Sequence, residues 1–329
     1  MPQSPREVVT RAVEFGTPDR LPVMFGALGM DDTAWVGGNF KGTGDRAKRE
    51  DTDEWGCVWA RTEEENMGQV KGHPLAEWSA LDSYEWPDFD DPKYYEGIEE
   101  RAEAVGDSYA VTGIFMLLFE RMHTLRGFEN VLTDLYLERE RSEEFADRIV
   151  ESQLAIIRNV SKRTGDRVQA LSFTDDWGTE KALFVNPALW VEFFKPRYRR
   201  LFDAMHEAGW HVWMHSCGKV NAIIGELIDI GLDVINLQQP RALGIEEIGR
   251  EYAGRICFSS LCDIQATLPF KGAAEIREEA GLLLEHWSTP EGGFILSDYG
   301  DGAAIGVPDD KKRVMLDAFL AADRWKNGG

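Results

Sequence analysis

The chain has 329 residues, 43% of them hydrophobic and 29% charged, with a formal net charge of -22. This composition belongs to a folded protein with a sizeable core and excludes a disordered chain. So acidic a surface repels phosphate backbones and anionic bilayers, which argues against nucleic-acid and membrane partners and leaves solubility as its plainest consequence.

The opening MPQSPREVVTRAVEFGTPDR has neither an apolar signal core nor a small-residue cleavage site, and no window approaches a membrane-spanning run, so the expected location is cytoplasmic. Ser4, Pro5 and Glu7 make a capped start for a short amphipathic helix over residues 4–15 that stops at Gly16. LPVMFGAL, from Leu21 to Leu28, reads as a buried strand. Residues 31–50 are Gly-rich and charged, Trp55 to Leu75 suggest an antiparallel hairpin outside the main repeat, and Trp86 to Asp91 look like a surface linker. From Tyr109 onward short apolar strands alternate with helical segments. The strands are expected at 109–115, 168–174, 211–217, 233–238, 256–261 and 294–299, and the helices at 117–137, 141–163, 187–208, 220–230, 244–252, 273–287 and 309–325. That rhythm predicts a single (β/α)8 TIM barrel over residues 1–329 with an extra N-terminal hairpin region. One strand is missing from the count and is expected within residues 25–60. A doubly wound open sheet is the alternative, but neither a dinucleotide fingerprint nor a P-loop follows any strand.

Barrel active sites lie at the C-terminal ends of the strands, and here those ends read Asp175-Asp176-Trp177-Gly178, His215-Ser216-Cys217-Gly218, Gln238-Gln239-Pro240, Cys262-Asp263 and Asp298-Tyr299-Gly300-Asp301. Strand alternation puts Trp213, His215 and Cys217 on one face, where imidazole and thiolate can meet one ion such as zinc. The alternative is a hydrogen-bonded rim histidine beside a packed cysteine. Cys262, Asp298 and Tyr299 are candidates for a further ligand, with Tyr299 and Asp298 equally able to hydrogen-bond a substrate. Of the pair Asp175 and Asp176 only one can face inward, to orient a substrate, act as general acid or base, or steady a ligating histidine, while a helix cap is the structural reading. Glu120 is a lesser acid or base candidate. Trp55, Trp59, Trp177 and Trp213 can line an apolar pocket, Trp177 best placed among them. The four cysteines, Cys57, Cys217, Cys257 and Cys262, are too few for a disulfide framework.

PREVVTRAVEFGTPDRLPV, DEWGCVW, FTDDWGTEKALFVNPALWVEFFKPRY, HSCGKV, DVINLQQP and LCDIQATLPFKGAAEIREEA, in that order, resemble the uroporphyrinogen decarboxylase superfamily, especially its cobalamin-linked methyltransferases. The resemblance implies a (β/α)8 barrel and a zinc site of the pattern His-x-Cys plus a distant Cys. His215 and Cys217 match the first two ligands, whereas the last-strand cysteine falls on Asp298-Tyr299-Gly300. That departure disfavours thiol activation and points to an oxygen-bearing substrate. The resemblance implies a zinc-dependent methyltransferase passing a methyl group from a small methoxylated or methylamine-type donor to the corrinoid (cobalamin) of a partner protein. The strand-end reading and the resemblance together put Asp176 and Glu120 in catalysis, Asp175, Trp177, Gln238 and Tyr299 on substrate, and His215, Cys217, Cys262 and Asp298 on the metal, of which the resemblance itself carries His215 and Cys217. A homodimer is left open. A decarboxylase acting on a small carboxylate is the second reading. Against it, the arginine-rich Arg-Gln-Ala-Gly-Arg type of segment is absent, and the chain reads MFGALGMDDTAW after LPV, with Asp31 or Asp32 as superficial stand-ins for the decarboxylase aspartate.

Overall fold

A computed structural model describes residues 1–45, 47–61, 68–300 and 302–326. Asp301, at the last strand end, lies outside the described residues. The frame is a ring of strands, all parallel except for the short Met30–Asp31 strand, which pairs antiparallel with Val23–Phe25. β1 (Val23–Phe25), β2 (Met30–Asp31) and β3 (Thr33–Trp35) come first, and β4 (Glu50–Thr52), β5 (Val58–Ala60) and β6 (Gln69–Gly72) form a separate antiparallel sheet. The ring continues with β7 (Tyr109–Ile114), β8 (Ala170–Thr174), β9 (His211–His215), β10 (Val234–Leu237), β11 (Cys257–Ser260) and β12 (Phe294–Ser297). Its order is β2-β1-β12-β11-β10-β9-β8-β7-β3. Asp32 closes the circle, since its N–H donates to Val23 O at 2.8 Å and its carbonyl accepts from Tyr109 N at 2.9 Å. The strand missing from the sequence count is therefore the short stretch through Thr33–Trp35, which pairs in parallel with β7. It is too short and too polar to announce itself by periodicity.

Alternation along each strand divides the core in two. Val212, Met214, Phe173, Leu171 and Phe258 face the helices in the large outer cluster, whereas Tyr109, Val111, Ala170, Trp213, Val234, Cys257 and Ile295 fill the barrel. The barrel floor is the first helix, Pro5–Val13. Ser4 and Glu7 form a capping box at its start, and Val9, Ala12 and Val13 pack beneath the interior side chains. Apolar residues thus seal the N-terminal end and leave polar chemistry to the opposite rim.

The helices follow the predicted rhythm with local differences. The 117–137 segment divides into Phe119–Arg126 and Phe128–Leu137 at Gly127, whose φ of +97° no helix accommodates. The supposed linker is packed: Trp86 contacts Trp55, Tyr84 and Phe145 edge-on or tilted, and Asp90 pairs with Arg158. The expected hairpin is the three-stranded sheet β4-β5-β6. No helix among the described residues is long and apolar enough to cross a membrane.

Candidate functional site

Thr174, His215, Asn236 and Ser259 lie side by side in register on β8 to β11, forming a polar rung above the apolar interior. Asp176 and Cys217 stand two residues past Thr174 and His215, so alternation carries them to the same inward face at the mouth. Their ligand atoms converge with that of His215. Cys217 Sγ is 3.4 Å from His215 Nε2, Asp176 Oδ1 is 3.7 Å from the same nitrogen, and all three ligand atoms lie within 4.8 Å of one another. The Cys217 backbone N–H donates to Asp176 Oδ1 at 2.7 Å, tying the two loops together.

Glycines make that approach possible. A Cβ on Gly218, which sits at φ +82°, would meet the Gly178 carbonyl oxygen at 2.1 Å. The contact is secured by Lys219 N donating to Thr179 O at 2.7 Å, Trp177 N to Ser216 Oγ at 3.1 Å and Gly218 N to Gln239 Oε1 at 2.8 Å. The Asp-Trp-Gly and Ser-Cys-Gly sequences are two halves of one clasp.

Asn236 orients the histidine. Its Nδ2 donates to Ser259 O at 2.9 Å, Ser259 Oγ at 3.1 Å and Ser297 Oγ at 3.3 Å, which leaves Oδ1 to accept from His215 Nδ1 at 2.7 Å. With the proton on Nδ1, the Nε2 lone pair points at Cys217 and Asp176, as a metal-ligating imidazole requires. Burial, reinforced by the Asp176 carboxylate, pushes the Cys217 thiol up, so as a bare thiol it stays protonated. A cation beside it would reverse that balance.

Glu120 begins the Phe119–Arg126 helix with its side chain buried and its Oε2 without a hydrogen-bond partner. Burial first, then the charges of Asp176 and Asp175, push its carboxyl well above the usual carboxylate range. The same charges mark Glu120 as a close neighbour of the ligand cluster.

The other predicted site residues are placed differently. Asp175 faces away from the mouth and caps the Phe119–Arg126 helix, accepting from Leu118 N at 2.8 Å, Phe119 N at 3.0 Å, Glu120 N at 2.6 Å and the Tyr198 hydroxyl. Burial pushes it up to about 6 against the pull of those bonds. Trp177 is fully buried, stacked on Phe119 with ring centroids 4.3 Å apart and donating to Tyr198 Oη at 3.1 Å. Both carboxylate oxygens of Asp175 accept from groups of the protein and the indole of Trp177 is engaged inside it, which corrects their assignment to substrate. Cys262 is corrected as well. It lies on the helix side of β11, its Sγ donating to Ile276 O at 3.5 Å and its N–H facing Met315 Sδ at 3.4 Å. Asp298 pairs with buried Lys312 at 3.0 Å, and the same ammonium donates to Tyr299 O at 2.7 Å. Neither Cys262 nor Asp298 joins the converging ligand atoms, which among the described residues are those of Asp176, His215 and Cys217. Gln238 is half-buried just past β10. Asp176 as a ligand and Asn236 as the orienting residue were missed by spacing, although period two from Val234 and Ala170 already places both on the inward face.

A cavity of about 320 Å³ is lined by Trp35, Phe40, Glu54, Trp55, Gly113 and Thr174 among others, Thr174 being the residue of the polar rung next to His215. Trp55 is thus the expected aromatic that does line a pocket, while Trp213 fills the barrel interior.

No curated protein sequence matches the chain. Among solved structures, a methyltransferase from Methanosarcina mazei is similar at 15% identity, over 81% of this chain and 75% of that one, with a TM-score of 0.59, which shows the fold alone. The 3-keto-D-glucoside 4-epimerase YcjR from E. coli, at 9% identity over 68% and 84% with a TM-score of 0.40, carries no argument. The family model described as Uroporphyrinogen decarboxylase (URO-D) matches residues 57–320, which is most of the chain, and the protein belongs to that family.

Proposed function

We propose that this chain is a zinc-dependent methyltransferase that moves a methyl group from a small methoxylated or methylamine-type compound to the corrinoid of a partner protein. The observation that carries the reading is the convergence of Asp176, His215 and Cys217 at the mouth of a URO-D barrel. Oxygen, nitrogen and sulfur from three side chains match the donor set of a catalytic zinc that keeps one position open. The residues fit the ion in a second respect, since Asn236 fixes the imidazole tautomer that leaves Nε2 available. Zinc, when bound, would supply Lewis acidity to the oxygen of a methoxylated donor, and Glu120 would protonate that oxygen once the methyl group has left; an ammonium donor, whose nitrogen has no free lone pair and whose amine leaves neutral, needs neither. Fold similarity to the M. mazei methyltransferase supports the same reading. The decarboxylase alternative is weakened at Asp32, whose carboxylate is already engaged by Arg20 at 2.6 and 2.7 Å and by Val23 N at 2.9 Å.

Metal analysis and a methyl-transfer assay with cob(I)alamin test the proposal together. We expect one zinc per chain, lost in the His215→Ala, Cys217→Ser double variant, with transfer falling by about 100-fold or more, roughly 2.7 kcal/mol of barrier. Full activity in metal-free protein, or CO₂ release without methylated cobalt, would overturn it.

A further inference from the structure

The cavity of about 320 Å³ is at the small end of the roughly 300–1,000 Å³ range of small-molecule sites and is walled by unlike surfaces. Gly113, Ser172 and Thr174 of the barrel strands form one side, and Thr174 is the register partner of His215, which places this wall one strand away from the ligand cluster. Opposite stand Trp35, Phe40 and Trp55. The Trp35 indole reaches over Gly113, where a Cβ would meet its ring at 2.2 Å, and the side chain is 62% exposed at the rim. Trp55 is buried, and Phe40 stacks on Tyr94 with centroids 5.4 Å apart. Three aromatic rings around one space favour a cation with apolar groups attached.

Two polar side chains of the lining, Glu54 and Gln153, carry acceptor oxygens with capacity to spare. Glu54 is half-buried, accepts from Lys41 N at 3.0 Å and has no ion-pair partner among the described residues. Burial pushes the Glu54 carboxyl above its usual range, and the charged neighbours that act on it, Asp53 and Arg121, are buried and paired with each other at 3.3 Å, so a bound cation is the partner this carboxyl lacks. Gln153 lines the wall with its amide orientation fixed: Nε2 donates to Leu117 O at 2.8 Å and Met116 O at 3.2 Å, and Oε1 has no donor. A neutral methoxy compound offers neither the charge nor the N–H that these two groups lack.

We propose that this cavity binds a small N-methylated ammonium cation that keeps an N–H, its charge held by Glu54, its N–H turned to Gln153 and its methyl groups on Trp35, Phe40 and Trp55. As the choice of methyl donor, this rests on the methyl-transfer reading above; as a binding site it does not. The test is titration of metal-free and zinc-loaded protein with trimethylammonium chloride, tert-butanol and methoxybenzene, followed by tryptophan fluorescence and calorimetry. Trimethylammonium is expected to bind at least about tenfold tighter than tert-butanol, and both Glu54→Gln and the rim variant Trp35→Ala are expected to weaken it by about tenfold. Circular dichroism checks that each variant is folded, and Trp35→Ala, at an exposed position, keeps the test valid if Glu54→Gln is not. Equal affinity for cation and tert-butanol, tighter binding of methoxybenzene, or affinity unchanged in both variants overturns the proposal. Because the metal-free titration needs neither zinc nor methyl transfer, its failure leaves the assay of those activities standing, and cation binding without any zinc site sinks the methyl-transfer reading alone.

Discussion

Asn236 touches no other member of the ligand cluster, yet it decides which nitrogen of His215 the site can use. Asn236→Leu keeps the volume and removes the acceptor, so zinc affinity is expected to fall by about 10- to 100-fold while the fold is retained, measured by chelator competition. Asn236→Asp, which restores an acceptor for Nδ1–H, should recover part of that loss, and equal affinity in all three proteins would contradict the role. Asp175 works on stability instead. Asp175→Ala removes a helix cap and strands the buried Tyr198 hydroxyl, with an expected cost of about 2–4 kcal/mol in urea unfolding. A cost below about 0.5 kcal/mol would argue that the carboxylate is not the cap described.

At the scale of elements, the site depends on how closely the loops after β8 and β9 cross. Gly218→Ala forces a Cβ against the Gly178 carbonyl in a backbone region that L-residues avoid, so we expect about 2–4 kcal/mol of destabilisation together with weakened metal binding. Loss of stability with full zinc affinity would separate the clasp from the site. A second joint ties the Lys195–Glu207 helix to the start of β10, where His206 Nε2 lies 2.8 Å from Asp233 Oδ2 and that hydrogen bond raises the histidine pKa. A raised folded value stabilises fully below the ordinary histidine value of about 6.5 and is lost as pH rises through the folded value. The pair is part-exposed, so His206→Gln should cost under about 1 kcal/mol near pH 5.5 and nearly nothing near pH 9, read by unfolding at both. Strand and helix rhythm was legible from Tyr109 onward because buried parallel strands are continuous apolar runs, and the Ala273–Trp287 helix matches its expected bounds. The Thr33–Trp35 strand was not, because its identity comes from pairing with β7 and its own three residues carry no period.

For the whole molecule, the barrel separates stability from chemistry along one axis, with an apolar floor on the Pro5–Val13 helix and a polar rung beneath the mouth. The family and two of the three ligands, His215 and Cys217, could be read from sequence, the ligands because residues two apart on an extended strand share a face. Period two marks Asp176 only as an inward-facing residue; that it is the third ligand depends on the register of β8 on β9, a relation between strands rather than within one. Spacing instead favoured Cys262 and Asp298, which the fold commits to the helix layer and to Lys312. Zinc that binds only the folded chain should raise its melting temperature, by a free energy of about 4 kcal/mol at 1,000 times Kd, and EDTA should reverse the gain. X-ray absorption at the zinc edge reads the ligand atoms themselves. A site of Asp176, His215 and Cys217 predicts one sulfur near 2.3 Å with nitrogen and oxygen near 2.0–2.2 Å. It also predicts that the sulfur is lost in Cys217→Ser and retained in Cys262→Ser. A shell without sulfur, or one whose sulfur survives in Cys217→Ser and vanishes in Cys262→Ser, would contradict it.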